Sequence, residues 1–191
     1  MERGKKDSKA IVFLASFVFF FLFLALLVPF FPALIRNFPY SGKSLAVGNG
    51  FRFLFVLGLH YGEETISNDS FPTVYFLSYL FALLSFFLFL SSALIHRKKR
   101  KEAYILEEIL ILTLLVSAVL SLSSRQNLAA VFSRALTGND ESTNVSLLLK
   151  NTRLGFGVYG ISIFSFLSLI FLFVLLFENG ERDYRKARIG I

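Results

Sequence analysis

Four stretches of the chain, residues 10–33, 72–95, 103–122 and 154–177, each contain no Asp, Lys or Arg. An α-helix needs about 20 apolar residues to cross the hydrocarbon core of a bilayer. Nothing else spans lipid except a closed barrel, because backbone N–H and C=O groups find no water there. The sequence therefore predicts an all-α membrane protein, a single domain over residues 1–191 built as a four-transmembrane-helix bundle. The composition agrees: charged residues make up 17% of the chain and 25 of its 191 residues are Phe, whereas soluble domains carry about a quarter charged residues. An ordinary globular enzyme is excluded. The first span is longer than the 7–15-residue apolar region of a signal peptide and reads as a permanent anchor. Pro29 and Pro32 in its last turns predict a kink or an early end to regular helix.

Orientation follows from Lys and Arg beside the span ends. Thirteen of the 20 lie in residues 1–9, 96–102 and 178–191, and the other seven lie in the two longer loops, 34–71 and 123–153. Both termini and the short basic link are therefore expected in the cytoplasm, with the longer loops outside. Asn68 and Asn144 head Asn-x-Ser sequons in those outer loops and are candidate glycosylation sites.

In the first outer loop Val47-Gly48-Asn49-Gly50 is a turn signal. It is followed by Phe51–Leu57, rich in β-forming residues. A small β-hairpin or sheet is expected there, or else a segment lying in the headgroups. An apolar run outside the membrane needs a cover, either the tops of the helices or a partner protein; on the second reading Phe51, Phe53, Phe55 and Leu57 are candidate partner contacts. In the second loop, Asn127–Leu136 suits one short amphipathic helix.

Close helix approach in lipid relies on small and hydroxylated residues. Ser78, Ala82 and Ser85 in span two, Thr113, Ser117 and Ser121 in span three, and Gly157, Gly160 and Ser165 in span four form such stripes. Span one is dominated by large side chains. Its Phe17, Phe20, Phe21 and Phe23 are expected to face lipid or a partner, leaving the tight contacts to the other three spans. The text Gly155-Phe156-Gly157-Val158-Tyr159-Gly160 matches G-x-G-x-x-G, but a membrane span follows it instead of an amphipathic helix, so it reads as packing and not as a dinucleotide site.

Arg97, Lys98, Lys99, Arg100 and Lys101 anchor the cytoplasmic link and suit anionic lipid headgroups. Glu107 and Glu108, one turn from the end of span three, are expected to pair with this run at the membrane edge. The chain has no Cys and two His, which leaves no disulfide framework and no thiolate chemistry; no cofactor, metal or nucleic-acid partner is expected.

Two stretches give a family likeness. Gly58-Leu59-His60 stands where claudin-like tetraspans read Gly-Leu-Trp, and Leu154–Ser162 resembles the Tyr-Gly-aromatic opening of their fourth span. With four spans, both ends inside and a larger β-containing first loop, the chain resembles the claudin-like superfamily, which includes claudins, peripheral myelin proteins and the regulatory subunits of AMPA receptors and calcium channels. It lacks that family's loop cysteines and any Trp, and the stretch from Gly58 to span two is shorter. The resemblance implies a plasma-membrane protein that acts as a non-catalytic accessory subunit or scaffold of a larger channel or receptor. A second implied role is junctional self-assembly. A third class, a small lipid-handling enzyme or transporter, would need ionisable groups near the bilayer midplane, where these spans offer only hydroxyls.

Overall fold

The computed structural model describes residues 2–38, 42–61, 64–67, 70–96, 100–137 and 150–189. In chain order its elements are α1 (Glu2–Leu27), a 3-10 turn (Val28–Phe30), β1 (Pro32–Asn37), β2 (Ser44–Asn49), α2 (Gly50–Leu54), β3 (Leu59–Tyr61), β4 (Glu64–Ile66), α3 (Thr73–Ile95), α4 (Arg100–Ser123), α5 (Arg125–Thr137), β5 (Thr152–Leu154) and α6 (Phe156–Ile189). Four segments are long and apolar enough to cross a membrane: Lys9–Phe30, Thr73–Ile95, Glu102–Ser123 and Phe156–Gly180. The molecule is a four-helix multi-pass membrane protein with a small antiparallel sheet at one end. That end is called the sheet end, and the opposite one, which carries α1's start and α6's finish, the terminal end.

The helices pack through the small-residue stripes. Ser117 Oγ donates to the Ser78 carbonyl at 2.9 Å, Ser85 Oγ lies 2.8 Å from Thr113 Oγ1, and Ser92 Oγ donates to Glu107 Oε1 at 2.8 Å, so α3 and α4 are stitched along their length. On the other flank of α4, Ser121 Oγ reaches the Val158 carbonyl at 2.6 Å and Ser162 Oγ the Ala118 carbonyl at 2.7 Å. Ser78, Ala82, Ser85, Thr113, Ser117, Ser121, Gly157, Gly160 and Ser165 are all buried. In lipid, where burial of apolar surface gives helices no net drive to associate, close approach and interhelical hydrogen bonds supply it.

Span one departs from expectation at both ends of the argument. Its helix stops at Leu27 and the 3-10 turn at Phe30, so that Pro32 and Ala33 begin β1 and do not complete the span. Nor is it excluded from tight packing. Phe17 stacks on Phe171 with centroids 5.0 Å apart, and Phe21 stacks on Phe171 and Phe164 at 5.5 and 6.2 Å. α1 thus lies along α6, bonded by rings where small residues are missing, and Val18, Leu22 and Ala25 are fully covered.

The sheet has the order β4-β3-β2-β1-β5, with all neighbours antiparallel. Leu34 pairs with Val47 on one side and Leu154 on the other. β5 comes from the second loop, so Leu154 belongs to the sheet and span four starts at Phe156. The Asn49-Gly50 pair does not turn a hairpin. Asn49 is extended (φ −91°, ψ 167°) and its side chain accepts from the Arg52 amide, which makes it the N-cap of α2. Phe51–Leu57 is therefore a single helical turn followed by a tight exit, not a strand. The amphipathic α5 lays Leu128, Val131 and Phe132 over the same core as Phe53, Leu54 and Leu59, and Arg125 Nη2 ties it to the Thr152 carbonyl at 2.7 Å.

Gly155 and Gly157 let the start of α6 touch the exit of span one. A Cβ on Gly157 would fall on the carbonyl oxygens of Phe31 and Pro32, which are backbone and cannot rotate away. Gly157→Ala is expected to destabilise by roughly 2–3 kcal/mol, the cost of overpacking a fixed site, and to lower the apparent melting temperature in detergent by about 5–10 °C. Gly180→Ala, on an exposed helical position with nothing within 4 Å of the added carbon, should instead raise it slightly. Equal effects of the two substitutions would show that the contact with Phe31 and Pro32 is not tight.

Candidate functional site

Two features stand out from the bundle. The first is an aromatic ledge at the sheet end. Phe30, at the end of span one, meets Phe51 with ring centroids 4.4 Å apart, and Phe51 stacks on Phe55 at 5.4 Å with the rings 13° from parallel. Phe30, Phe55 and Leu57 are 60%, 61% and 50% exposed. The ledge continues down α1 along one helical face through Leu27, Phe23, Phe20 and Phe13, all exposed.

Of the aromatic residues singled out from the sequence, some lie on this surface and others do not. Phe55, Leu57, Phe20 and Phe23 face outward and Phe51 is half-buried. Phe53 is fully buried in the core beneath the sheet: helical geometry turns it inward with Leu54, whereas an alternating strand would have placed it beside Phe51 and Phe55 on one face. Phe17 and Phe21 are taken up by α6. Phe30 was missed because it was counted as ordinary span, and the 3-10 turn that swings it onto Phe51 gives no hydropathy signal.

The exit of α2 carries backbone strain. The Leu57 amide donates to the Arg52 carbonyl at 2.8 Å and the Val56 amide to the Phe53 carbonyl at 3.4 Å, the paired bonds of a Schellman C-cap. The residue at its left-handed position is Val56, φ 54°, where Gly is usual. A β-branched side chain there is strained.

The second feature is a cleft of about 260 Å³ at the terminal end, lined by α1 (Ile11, Val12, Ala15), α3 (Phe89, Ser92, Ala93, His96), α4 (Glu107) and α6 (Leu175, Asn179). Glu107 is not at the surface pairing with the basic link, as the sequence suggested. Its carboxylate points into the bundle and is 7% exposed; Oε1 takes the Ser92 bond and lies 3.6 Å from His96 Nδ1. Among the described residues, buried Oε2 finds no hydrogen-bond partner, and neither does Asn179 Oδ1. The linear distance of Glu107 from the span's edge hid its rotation toward α3, while Glu108, one position on, is exposed. Among the described residues no three His, Asp or Glu side chains converge as metal ligands.

Arg97, Lys98 and Lys99 lie outside the described residues, and Arg100 and Lys101 form the first turn of α4. Asn68 and Asn144 also lie outside the described residues. No protein-family model matches the sequence, and no curated protein matches it.

Val56→Gly is expected to stabilise the protein by up to about 1 kcal/mol. The relief of a left-handed β-branched residue exceeds the entropy that Gly adds to the unfolded chain. The apparent melting temperature of the purified variant checks this, and a fall of several degrees would show that the Val56 side chain contributes more by its contacts than it costs in strain.

Proposed function

We propose that this chain is a non-catalytic tetraspan subunit that docks onto a larger integral membrane protein of channel or receptor type, with the aromatic ledge as its principal contact. The observation that carries the reading is the Phe30–Phe51–Phe55 stack. Three aromatic rings held in register on a helix end and a capped turn, two of them mostly exposed, give the rigid large-area anchors in which interface energy concentrates. The ledge runs without a break into the exposed face of α1, so one partner surface can take both the span and the loop above it.

The claudin-like resemblance supports the same reading. Its two local stretches lie in parts of one structure: Leu59 opens β3, in the sheet that β5 joins, and Gly155–Gly160 begins the helix that β5 feeds. The orientation argued from Lys and Arg puts the ledge on the outer side and the terminal end in the cytoplasm, and the resemblance makes the plasma membrane the expected location. Homotypic assembly is the second reading, favoured by the same ledge if two copies meet there.

The test is a double variant, Phe30→Ser with Phe55→Ser. Both side chains are exposed, so the fold should persist with an unchanged melting temperature, while recovery of the partner on gentle solubilisation should fall at least tenfold, consistent with the loss of one anchor worth about 2 kcal/mol. Leu94→Ser, still more exposed but on α3 at the other end, should leave recovery unchanged. Phe53→Ser should unfold the protein and is not an interface test. Full partner recovery by the double variant would overturn the ledge as the contact, and recovery of the wild type only as a lone monomer would overturn the accessory role.

A further inference from the structure

The cleft at the terminal end is graded along its depth. α3 and α6 run toward that end and α1 runs away from it, so Phe89, Leu175 and Ala15 line the part nearer the bilayer middle. His96, Asn179 and Glu107, with Ser92, line the part nearer the membrane edge. The apolar part adjoins lipid chains and the polar part the headgroup level. Val12 and Ala93, on facing helices, line the cleft while remaining exposed on the bundle's outside, so the mouth opens sideways between α1 and α3. This is the polarity of a membrane lipid with its head at the surface.

The polar end also states what head it takes. Its buried atoms without a partner are both acceptors, Glu107 Oε2 and Asn179 Oδ1. A carboxylate oxygen buried away from water is costly unless a donor, best a charged one, meets it. The occupant must therefore bring N–H or O–H donors, and positive charge on them suits the free oxygen of Glu107, whose other oxygen is already taken by Ser92 and lies 3.6 Å from His96 Nδ1. Water satisfies the donors alone, but it does not fill the end lined by Ile11, Ala15, Phe89 and Leu175, since apolar cavity surface stays dry. The volume of about 260 Å³ lies just under the range of whole-ligand pockets, about 300–1,000 Å³. It suits a compact head with its first methylenes and leaves the remaining chain in the bilayer.

We propose that the cleft binds the primary ammonium head of a membrane lipid, its N–H groups donating to Glu107 Oε2 and Asn179 Oδ1 while Ser92 holds Oε1. This site is separate from the aromatic ledge, at the opposite end of the bundle, and does not depend on the accessory-subunit reading. Two lipid classes offer the chemistry: ethanolamine-headed glycerophospholipids and single-chain long-chain bases. Choline-headed lipids carry the same charge but no N–H, so they are the discriminating control.

The experiment places the full chain in nanodiscs of dioleoylphosphatidylcholine alone, or with added dioleoylphosphatidylethanolamine, or with added sphingosine. Thermal unfolding is followed in each, together with lipid retention by native mass spectrometry. The amine lipids should raise the melting temperature over choline lipid alone and be retained one per chain, whichever of the two gives the larger shift being the source. Glu107→Gln keeps the acceptor for Ser92 but replaces the charge, and should reduce amine retention at least tenfold. Asn179→Ala should reduce it severalfold. Ala15→Phe, which fills the apolar end and leaves every polar group in place, should abolish it and keeps the test open if the Glu107 variant fails to fold. Equal retention of choline and amine lipids, no retention of either amine, or undiminished retention in Glu107→Gln or Ala15→Phe would overturn the proposal.

Discussion

Everything at the sheet end hangs on the backbone between Phe31 and Ala33, where span one stops being helix. The Phe31 carbonyl accepts from the Gly50 amide at 3.1 Å and the Ala33 carbonyl from the Gly155 amide at 2.8 Å, which joins the exit of span one to α2 on one side and to the entry of α6 on the other. Gly50 and Gly157 make room for this. A Cβ on Gly50 would meet the Tyr75 hydroxyl and Pro29, and one on Gly157 the carbonyls of Phe31 and Pro32. Tyr75, fully buried, closes the junction by donating to the Gly157 carbonyl at 2.7 Å. Three spans, the sheet and α2 thus meet at one point. The chain has no Cys, and this network of backbone bonds and glycine contacts, packed against the core around Leu34, Phe53 and Leu59, holds the junction without a covalent staple.

The bundle below is held differently along its two seams. α3, α4 and the first half of α6 use hydroxyls, with Ser117, Ser121 and Ser162 donating to carbonyls of the neighbouring helix. Each such bond is worth only about 0.6 kcal/mol in membrane proteins that have been dissected, so their role lies as much in setting register as in strength. The contacts follow one another in antiparallel order, Ser78 with Ser117, Ser85 with Thr113, Ser92 with Glu107. A slip by one turn would break all three contacts, leaving Ser85 and Thr113 only the carbonyls of Phe81 and Leu110 in their own helices. The last step of that ladder is the one that ends in a carboxylate, so the same register that assembles α3 on α4 also fixes the polar floor of the cleft.

The four spans, their small-residue stripes and the amphipathic α5 were legible because each is written as a run or a period along one helix. What was not legible depends on pairs distant in sequence. β1 begins inside what reads as span one, and it becomes a strand by pairing with β2, where Pro32 stands opposite Asn49, and with β5, more than a hundred residues away. Phe51–Leu57 has strand composition, but β propensity reflects fit to a pleated surface more than an intrinsic backbone preference. Here the Asn49 cap and the inward demand of Phe53 and Leu54 override it. Glu107 sits at the expected depth, but whether a residue near a span's end faces water or its own bundle depends on helix rotation, and neither charge counting nor distance from the edge reports that. Asn179 lies two residues beyond the apparent end of span four, on a helix that continues to Ile189.

The abundance of Phe has a packing explanation that small-residue reasoning overlooks. A helix with few small residues at its seam is poorly suited to close approach, and span one was expected to leave the tight contacts to the other spans for that reason. It does not need to approach closely. Phe17 and Phe21 both lay their rings on Phe171 in stacked contacts, so the α1–α6 seam is filled by flat side chains that gain about 0.5–1.5 kcal/mol per pair beyond burial. This allocates the faces of α1: positions toward Phe17 and Phe21 belong to α6, Val18, Leu22 and Ala25 complete the buried side, and the remaining arc, Phe13, Phe20, Phe23 and Leu27, is left exposed. Stacking on one side is therefore what leaves an aromatic face on the other, and that face meets the ledge because the 3-10 turn at Val28–Phe30 carries the last Phe of the span onto the first Phe of the capped loop.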